Sequence, residues 1–537
     1  MKTVYPLASA LLLTVSATYA LDGTWDTANS DPDYTGNWSD SINWSGGTIA
    51  SGTDATATIE YFTASGSGGA NDATISLDSP FTIGNIIANG SGSGSTHNFT
   101  INGPSTLTMD VSSGAASITT NLSNGRDLTV NVILAGNDGL DLSATSDGDL
   151  VLGGANTYEG ATTVDDGIIH VTSNTAFGAT SGVAGSDTTT ITSANGAIRV
   201  GDGVVLDAGE TIHTTGSGGS SSFGAILAMD GDTAEVAGNI VMDGSTRFGT
   251  QGGATLELSG VISGAGGQNL SLSHDNDSAT QGTLILSGAN TYTGSTFIYR
   301  GTMQLADGDN RLPTSTVVQL GQVSSDSTLD LNGTDQSLDG IFNNQAGAST
   351  RTLTNTDNGN ASVLTLTGST DRSMMAGGDD DTIITGNLSL IQAGNSNFTL
   401  AETNTFTGDV TVNAGTVTLA DGASMTVYIG ANGVNNGFLG TANLALDGLL
   451  IFDLSGADAT AGNSWTIIGA GVAESYGATF AVQDFTESEA GVWTLGDYTF
   501  TESTGVLTIS AIPEPSAFAA ILGGFCFLFI AKRPRRA

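Results

Sequence analysis

The stretch LVLGGANTYEGATTVDDGIIHVTS, Leu150 to Ser173, returns twice in altered form. The second copy is LILSGANTYTGSTFIYRGTMQLAD, from Leu284 to Asp307, and the third is FTLAETNTFTGDVTVNAGTVTLAD, from Phe398 to Asp421. In each, an apolar alternation leads into Asn-Thr-aromatic-x-Gly: Asn156 to Gly160, Asn290 to Gly294 and Asn404 to Gly408. A second glycine follows seven positions later, at Gly167, Gly301 and Gly415. LVL, LIL and FTL read as short strands. Asn before Thr favours a turn, because the Asn side chain bonds nearby backbone. Tyr158, Tyr292 and Phe406 can cap a corner of the core. Gly160, Gly294 and Gly408 suit a tight bend or a close backbone approach. The second glycine makes the next turn, and IIHV, TMQL and TVTL form a third strand. Such a unit reads as one coil of a parallel β-helix, which cannot bury its apolar face alone and must stack.

Weaker copies fill the gaps: ATLELSGVISGAGGQNLSLS (Ala254 to Ser273), ASVLTLTGS (Ala361 to Ser369) and GAILAMDGDTAEVAGNIVMDG (Gly224 to Gly244). No helical periodicity is sustained between Leu21 and Ile512. The expected fold is therefore all-β: a parallel β-helix over 60–430, an N-terminal cap at 21–59 and a C-terminal all-β cap at 431–511. With coils of ~20–25 residues, the repeat region predicts roughly 15–18 coils. The five tryptophans, Trp25, Trp38, Trp44, Trp465 and Trp493, all lie outside the repeats. Aromatics concentrated there fit caps over unpaired strand edges; a Trp-based carbohydrate site is the alternative.

Between Leu21 and Ile512 there are 52 acids against seven Arg, within a chain of net charge −41. Such a surface repels nucleic acid and anionic lipid, so neither is an expected partner. The single cysteine, Cys526, leaves the body without a disulfide, so stability rests on ladders and stacking.

Both ends carry targeting features. Residues 1–20 have one Lys, an apolar centre and small residues at Thr18 and Ala20, the layout of a secretory signal peptide. Near the other end, Pro513-Glu514-Pro515 precedes an apolar run at 517–531 and the basic tip Lys532, Arg533, Arg535 and Arg536. The run is short for a membrane helix, and the basic tip would hold the cytoplasmic side.

Catalytic chemistry is hard to find. His97, His170, His213 and His274 are scattered without ligand spacing, and no Gly-x-Ser-x-Gly or phosphate loop occurs. A carboxylate pair could hydrolyse glycosides, but the sequence singles out none. Acidic turns recur at Asp147-Gly148-Asp149, Asp230-Gly231-Asp232, Asp307-Gly308-Asp309 and Asp379-Asp380-Asp381. They read as solvated turns that block edge pairing, with weak Ca²⁺ binding as the alternative.

The repeat resembles the autotransporter-associated β-strand repeat family at Gly153 to Ala176, Gly288 to Leu305 and Glu402 to Ala420. That resemblance implies right-handed parallel β-helical passengers displayed on bacterial surfaces. The tail resembles the PEP-CTERM sorting signal, which implies processing near Pro513-Glu514-Pro515 by an exosortase-type transpeptidase. No twelve-strand barrel follows the repeats, so export through the general secretory machinery is expected, with transient membrane anchoring by the C-terminal helix. The functional expectation is an exported surface or matrix solenoid with a structural or adhesive role, without catalytic residues or cofactor. The alternative is a carbohydrate-active β-helix enzyme or a carbohydrate-binding surface protein, with extracellular polysaccharide as partner.

Overall fold

The computed structural model describes residues 19–26, 35–60, 72–90, 98–123, 125–145, 147–180, 182, 187–218, 223–272, 282–321, 325–343, 349–374 and 381–510. The expected signal peptide, apart from Tyr19 and Ala20, lies outside the described residues, as does the whole tail from 512 to 537. Among the described residues no helix is long and apolar enough to cross a membrane. They hold 52 β-strands and three short 3-10 turns, in about 14 solenoid turns. The chain divides into two units, at Met1–Thr293 and Gly294–Ala537.

The first unit is built from parallel ladders. One runs through Gly23–Asp26, Thr56–Glu60, Asn85–Asn89, Ala116–Asn121, Leu140–Ala144, Thr162–Asp166, Thr188–Ile191 and Thr211–Gly216. A second runs through Thr35–Asn37, Ala73–Ser76, Phe99–Asn102, Leu128–Val130, Leu150–Leu152, Ile168–Val171, Ala197–Val200 and Ile226–Ala228. Shorter strands close a third side, including Phe81–Ile83, Thr106–Met109 and Ile133–Ala135. Most strands alternate, and the inward positions carry the apolar set: Ile59, Ile86, Ile118, Leu140 and Val164 are all buried. Parallel in-register stacking places inward side chains above one another in columns that are mainly apolar, with buried threonines such as Thr162 and Thr189 interleaved.

The second unit repeats the scheme. One ladder joins Gly301–Leu305, Ser327–Asp330, Thr350–Asn355, Asp381–Gly386, Thr403–Asn404, Ser424–Tyr428, Leu449–Asp453 and Ala481–Val482. Another joins Gln336–Leu338, Ser362–Leu366, Leu388–Gln392, Val410–Val412 and Phe438–Gly440. Beyond these, Ser464–Thr466, Val506–Ile509, Tyr498–Thr501, Val492–Leu495 and Thr486–Glu489 form an antiparallel sheet. Residues 431–511 thus contain both the last parallel rungs and this sheet.

The motif is not one coil of three faces. Leu150 pairs with Ile169 and Phe398 with Val417, a step of 19 residues in each. The first and third strands of the motif are the same face in consecutive coils. Elsewhere the step reaches 39 residues, between Thr35 and Thr74. Longer coils give fewer turns than the 15–18 expected, because loops at the corners absorb chain without adding a rung.

The N-terminal aromatics pack inward. Trp25 lies on a strand already paired in parallel with residues 57–60. Trp44 meets Trp25 and Trp38 edge-on, at ring-centroid distances of 5.3 and 5.0 Å. All three rings are buried, and Trp44 Nε1 donates to the Trp38 carbonyl at 2.8 Å. Their faces are consumed by packing, so they offer no stacking platform to a sugar.

Candidate functional site

The motif residues fasten coils together. Asn156 is buried; its Oδ1 accepts the Leu134 N–H at 2.9 Å and its Nδ2 donates to the Ala176 carbonyl at 2.7 Å. Asn290 Oδ1 accepts the Ile262 N–H at 2.7 Å, and Asn404 Nδ2 donates to the Ser424 carbonyl at 2.9 Å. These partners are 20 to 28 residues away, so each motif Asn bonds between coils; Asn404 Nδ2 also keeps a local bond, to the Ala401 carbonyl at 3.3 Å. The amide has a donor and an acceptor at opposite ends, which suits it to bridge one coil below and one above. The side chains of Tyr158, Tyr292 and Phe406 are buried. Tyr158 Oη lies 2.7 Å from Thr162 Oγ1, and burial pushes its phenol pKa well above the ordinary value.

The two motif glycines do different work. Gly167, Gly301 and Gly415 have φ of +70°, +77° and +63°, the left-handed region that glycine enters without strain. Gly160 and Gly408 are close approaches. A Cβ on Gly160 would fall 2.1 Å from Gly139 N, and one on Gly408 would fall 2.1 Å from Ser389 Oγ. The Gly294 carbonyl accepts the Thr316 hydroxyl at 2.9 Å. The sorting residues Pro513, Glu514, Pro515, Lys532, Arg533, Arg535 and Arg536 lie outside the described residues.

Many of the acids are spent on the same fastening. Asp72 Oδ1 accepts the Asn98 N–H, Asn98 Oδ1 the Asp127 N–H, and Asp127 Oδ1 the Asp149 N–H, at 3.0, 3.0 and 2.9 Å. Asp309 and Asp335 repeat this toward Asp335 N and Val363 N. Asp326, Asp409 and Asp447 do so toward Thr350, Gly437 and Thr479. A carboxylate accepting a backbone N–H makes a charge-assisted bond. Stacking like charges has a cost: burial and the Asp127 charge push Asp149 up to about 6.

The acidic turns do not converge on an ion. Asp230 and Asp232 pair with Arg199 at 3.1 and 3.4 Å. Asp379 and Asp380 lie outside the described residues, among which no group of three or more His, Cys, Asp or Glu could hold a metal. His170 stacks in register with Arg199, and burial with that positive charge pulls its pKa down to about 4. Glu210 is a buried acid: it is 6% exposed, takes the Thr189 hydroxyl at 2.7 Å, and is pushed up to about 7 mainly by burial.

A cleft borders the Gly430 to Asn436 segment of the second unit. It encloses about 430 Å³ and is lined by Ser389, Thr407, Gly408, Asp409, Tyr428, Val434, Asn435, Asn436, Asp453 and Ser455, with neighbouring backbone. Tyr428 and Asp453 are ladder partners at the ends of their strands. The segment Gly430 to Asn436 leaves the solenoid as a small loop, closed by Gly430 N–H to the Val434 carbonyl at 2.8 Å. Asn436, buried, anchors the loop: its Oδ1 accepts the Tyr428 N–H at 2.7 Å and its amide donates to the Phe406 and Gly408 carbonyls. Tyr428 Oη donates to the Thr405 carbonyl at 2.9 Å. Asp409 Oδ1 is fixed by the Gly437 N–H and Asp453 Oδ1 by the Ser455 N–H, both at 2.9 Å. The Ser455 side chain and N–H hold the Asp453 carboxyl below the ordinary range. Burial and the Asp453 charge raise the Tyr428 phenol. Of these residues the sequence singled out only Gly408. The GANGVNN loop was a visible signal for an excursion, but nothing local tied it to Asp409 or Asp453.

Comparison with known proteins gives three short matches and one distant relative. The passenger-associated-transport-repeat model matches residues 142–171, 281–305 and 390–419, the segments that hold the three motif copies. The adhesin BmaC autotransporter of Brucella suis biovar 1 (strain 1330) is 29% identical over 235 residues, covering 40% of this chain. The match spans 6% of that protein's length. No solved structure matches significantly. The chain is thus an all-β parallel solenoid carrying autotransporter-passenger-like repeats.

Proposed function

We propose that this chain is an exported β-solenoid held at a bacterial surface or in its extracellular matrix, with a structural or adhesive role. One observation carries the reading: the matched repeats place their most distinctive side chains, Asn156, Asn290 and Asn404, between coils rather than around a substrate. A chain built so produces length and surface, as passenger repeats do. The distant relative named an adhesin supports the adhesive part.

The sorting step belongs to the same proposal. Export runs through the general secretory machinery by residues 1–20, and the 517–531 segment holds the chain in the membrane. An exosortase-type transpeptidase then processes it at Pro513-Glu514-Pro515. The test replaces these three residues with alanine in the native host. Export should persist, read by protease shaving of intact cells, while the mature C-terminus by mass spectrometry shifts to the unprocessed end. An unchanged mature mass would sink the sorting step; a chain untouched by shaving would sink surface display.

A further inference from the structure

We infer that the cleft between the Gly430 to Asn436 loop and the ends of the Ser424–Tyr428 and Leu449–Asp453 strands binds a neutral saccharide chain. The inference rests on the surface-protein reading and gives its adhesive role a ligand class. The cleft volume of about 430 Å³ falls within the ~300–1,000 Å³ usual for small-molecule sites. It sits where binding sites gather, on a loop positioned by a rigid scaffold.

The lining selects the chemistry. No Lys, Arg or His borders the cleft, and two carboxylates do, so phosphorylated, sulfated or uronate ligands are repelled. What remains is a ligand that donates hydrogen bonds on one side and offers C–H surface on another. Asp409, Asp453, Ser389 and Ser455 supply the polar side; Tyr428 and the exposed Val434 supply the apolar side. A pyranose has both faces.

The carboxylates are set in advance. Each has Oδ1 fixed by a backbone N–H, and among the described residues no protein hydrogen bond reaches Asp409 Oδ2. An acceptor already oriented loses little freedom when a sugar hydroxyl arrives. The cleft is open, so single-site affinity is weak. Many copies displayed together would raise it by avidity.

The test uses the exported chain purified from its host. Cellohexaose, laminarihexaose and maltohexaose are titrated by calorimetry, with hexagalacturonate and CaCl2 as separate arms. Two variants are compared: Asp409→Asn, which keeps the acceptor for the Gly437 N–H, and Val434→Asp on the exposed rim, where folding is not at stake. At least one neutral hexasaccharide should bind with millimolar Kd, weakened roughly tenfold or more in both variants. Absence of neutral-glycan binding, preference for hexagalacturonate, or binding unaffected by both variants overturns the inference. So does Ca²⁺ binding that Asp409→Asn abolishes without any saccharide binding. Binding by purified chain is independent of display, so failure here leaves the surface reading standing.

Discussion

The Tyr158 hydroxyl lies 2.7 Å from Thr162 Oγ1, with both side chains buried, and the third motif copy replaces the two together, by Phe406 and Val410. The second copy keeps the polar pair, Tyr292 with Thr296. A buried hydroxyl left alone pays its desolvation, whereas an apolar pair of similar shape does not. Tyr158→Phe and Thr162→Val should each cost about 1–2 kcal/mol, and the double variant less than their sum. Urea denaturation of the four proteins measures the coupling. Simple additivity would mean that the hydroxyls find other partners.

Asn156→Ala should cost more than either. It strands the Leu134 N–H and the Ala176 carbonyl in adjacent coils at once. A loss of about 2–4 kcal/mol is expected. Because each coil contacts only its neighbours, the damage should stay local. Hydrogen exchange should speed up near residues 134 and 176 while the distant ladders keep their protection.

Gly160→Ala and Gly203→Ala separate the two uses of glycine. Gly203 has φ +70° with open space where a Cβ would go, so alanine costs about 1 kcal/mol of backbone strain. A Cβ on Gly160 would press on Gly139 N at 2.1 Å and Asp138 C at 2.4 Å. The coils must part there, at about 3 kcal/mol or more. Limited chymotrypsin digestion should reveal a new cut near Tyr158 in the Gly160 variant alone. Equal sensitivity in both would remove the close-approach argument.

Glu210 should make the fold weaker at neutral pH than in mild acid. Its folded pKa of about 7 stands above the ordinary value of 4.5, through burial and the charges of Asp187 and Asp207. Its stabilising contribution is full below pH 4.5 and is lost as pH rises through 7. Glu210→Gln keeps an acceptor for Thr189 and removes the titration. Relative to the variant, wild type should lose on the order of 3 kcal/mol between pH 4.5 and 8. His170, held down to about 4, acts in the opposite sense, losing stability as pH falls from 6.5. It is common to both proteins and cancels in the difference. A pH-independent difference between the two would show that Glu210 does not titrate in that window.

The sequence by itself determined the class of fold. Alternation of period two in LVL, TTV and IIHV, punctuated by glycine at a fixed step, leaves stacking as the way to cover the apolar side, because a single coil has no partner for it. Local chemistry also marked Gly167, Gly301 and Gly415, since a left-handed turn needs glycine at that one position. Only the tertiary structure decided what Asn156 bonds, because its partners lie a whole coil away in each direction and the coil length varies from 19 to 39 residues. It alone separated the acids. Asp127 staples coils and Asp232 pairs with Arg199. Asp409 and Asp453, 44 positions apart, line one cleft. A carboxylate reads the same in every turn of a sequence; what it does depends on which N–H, guanidinium or solvent-filled space the stacking brings to it.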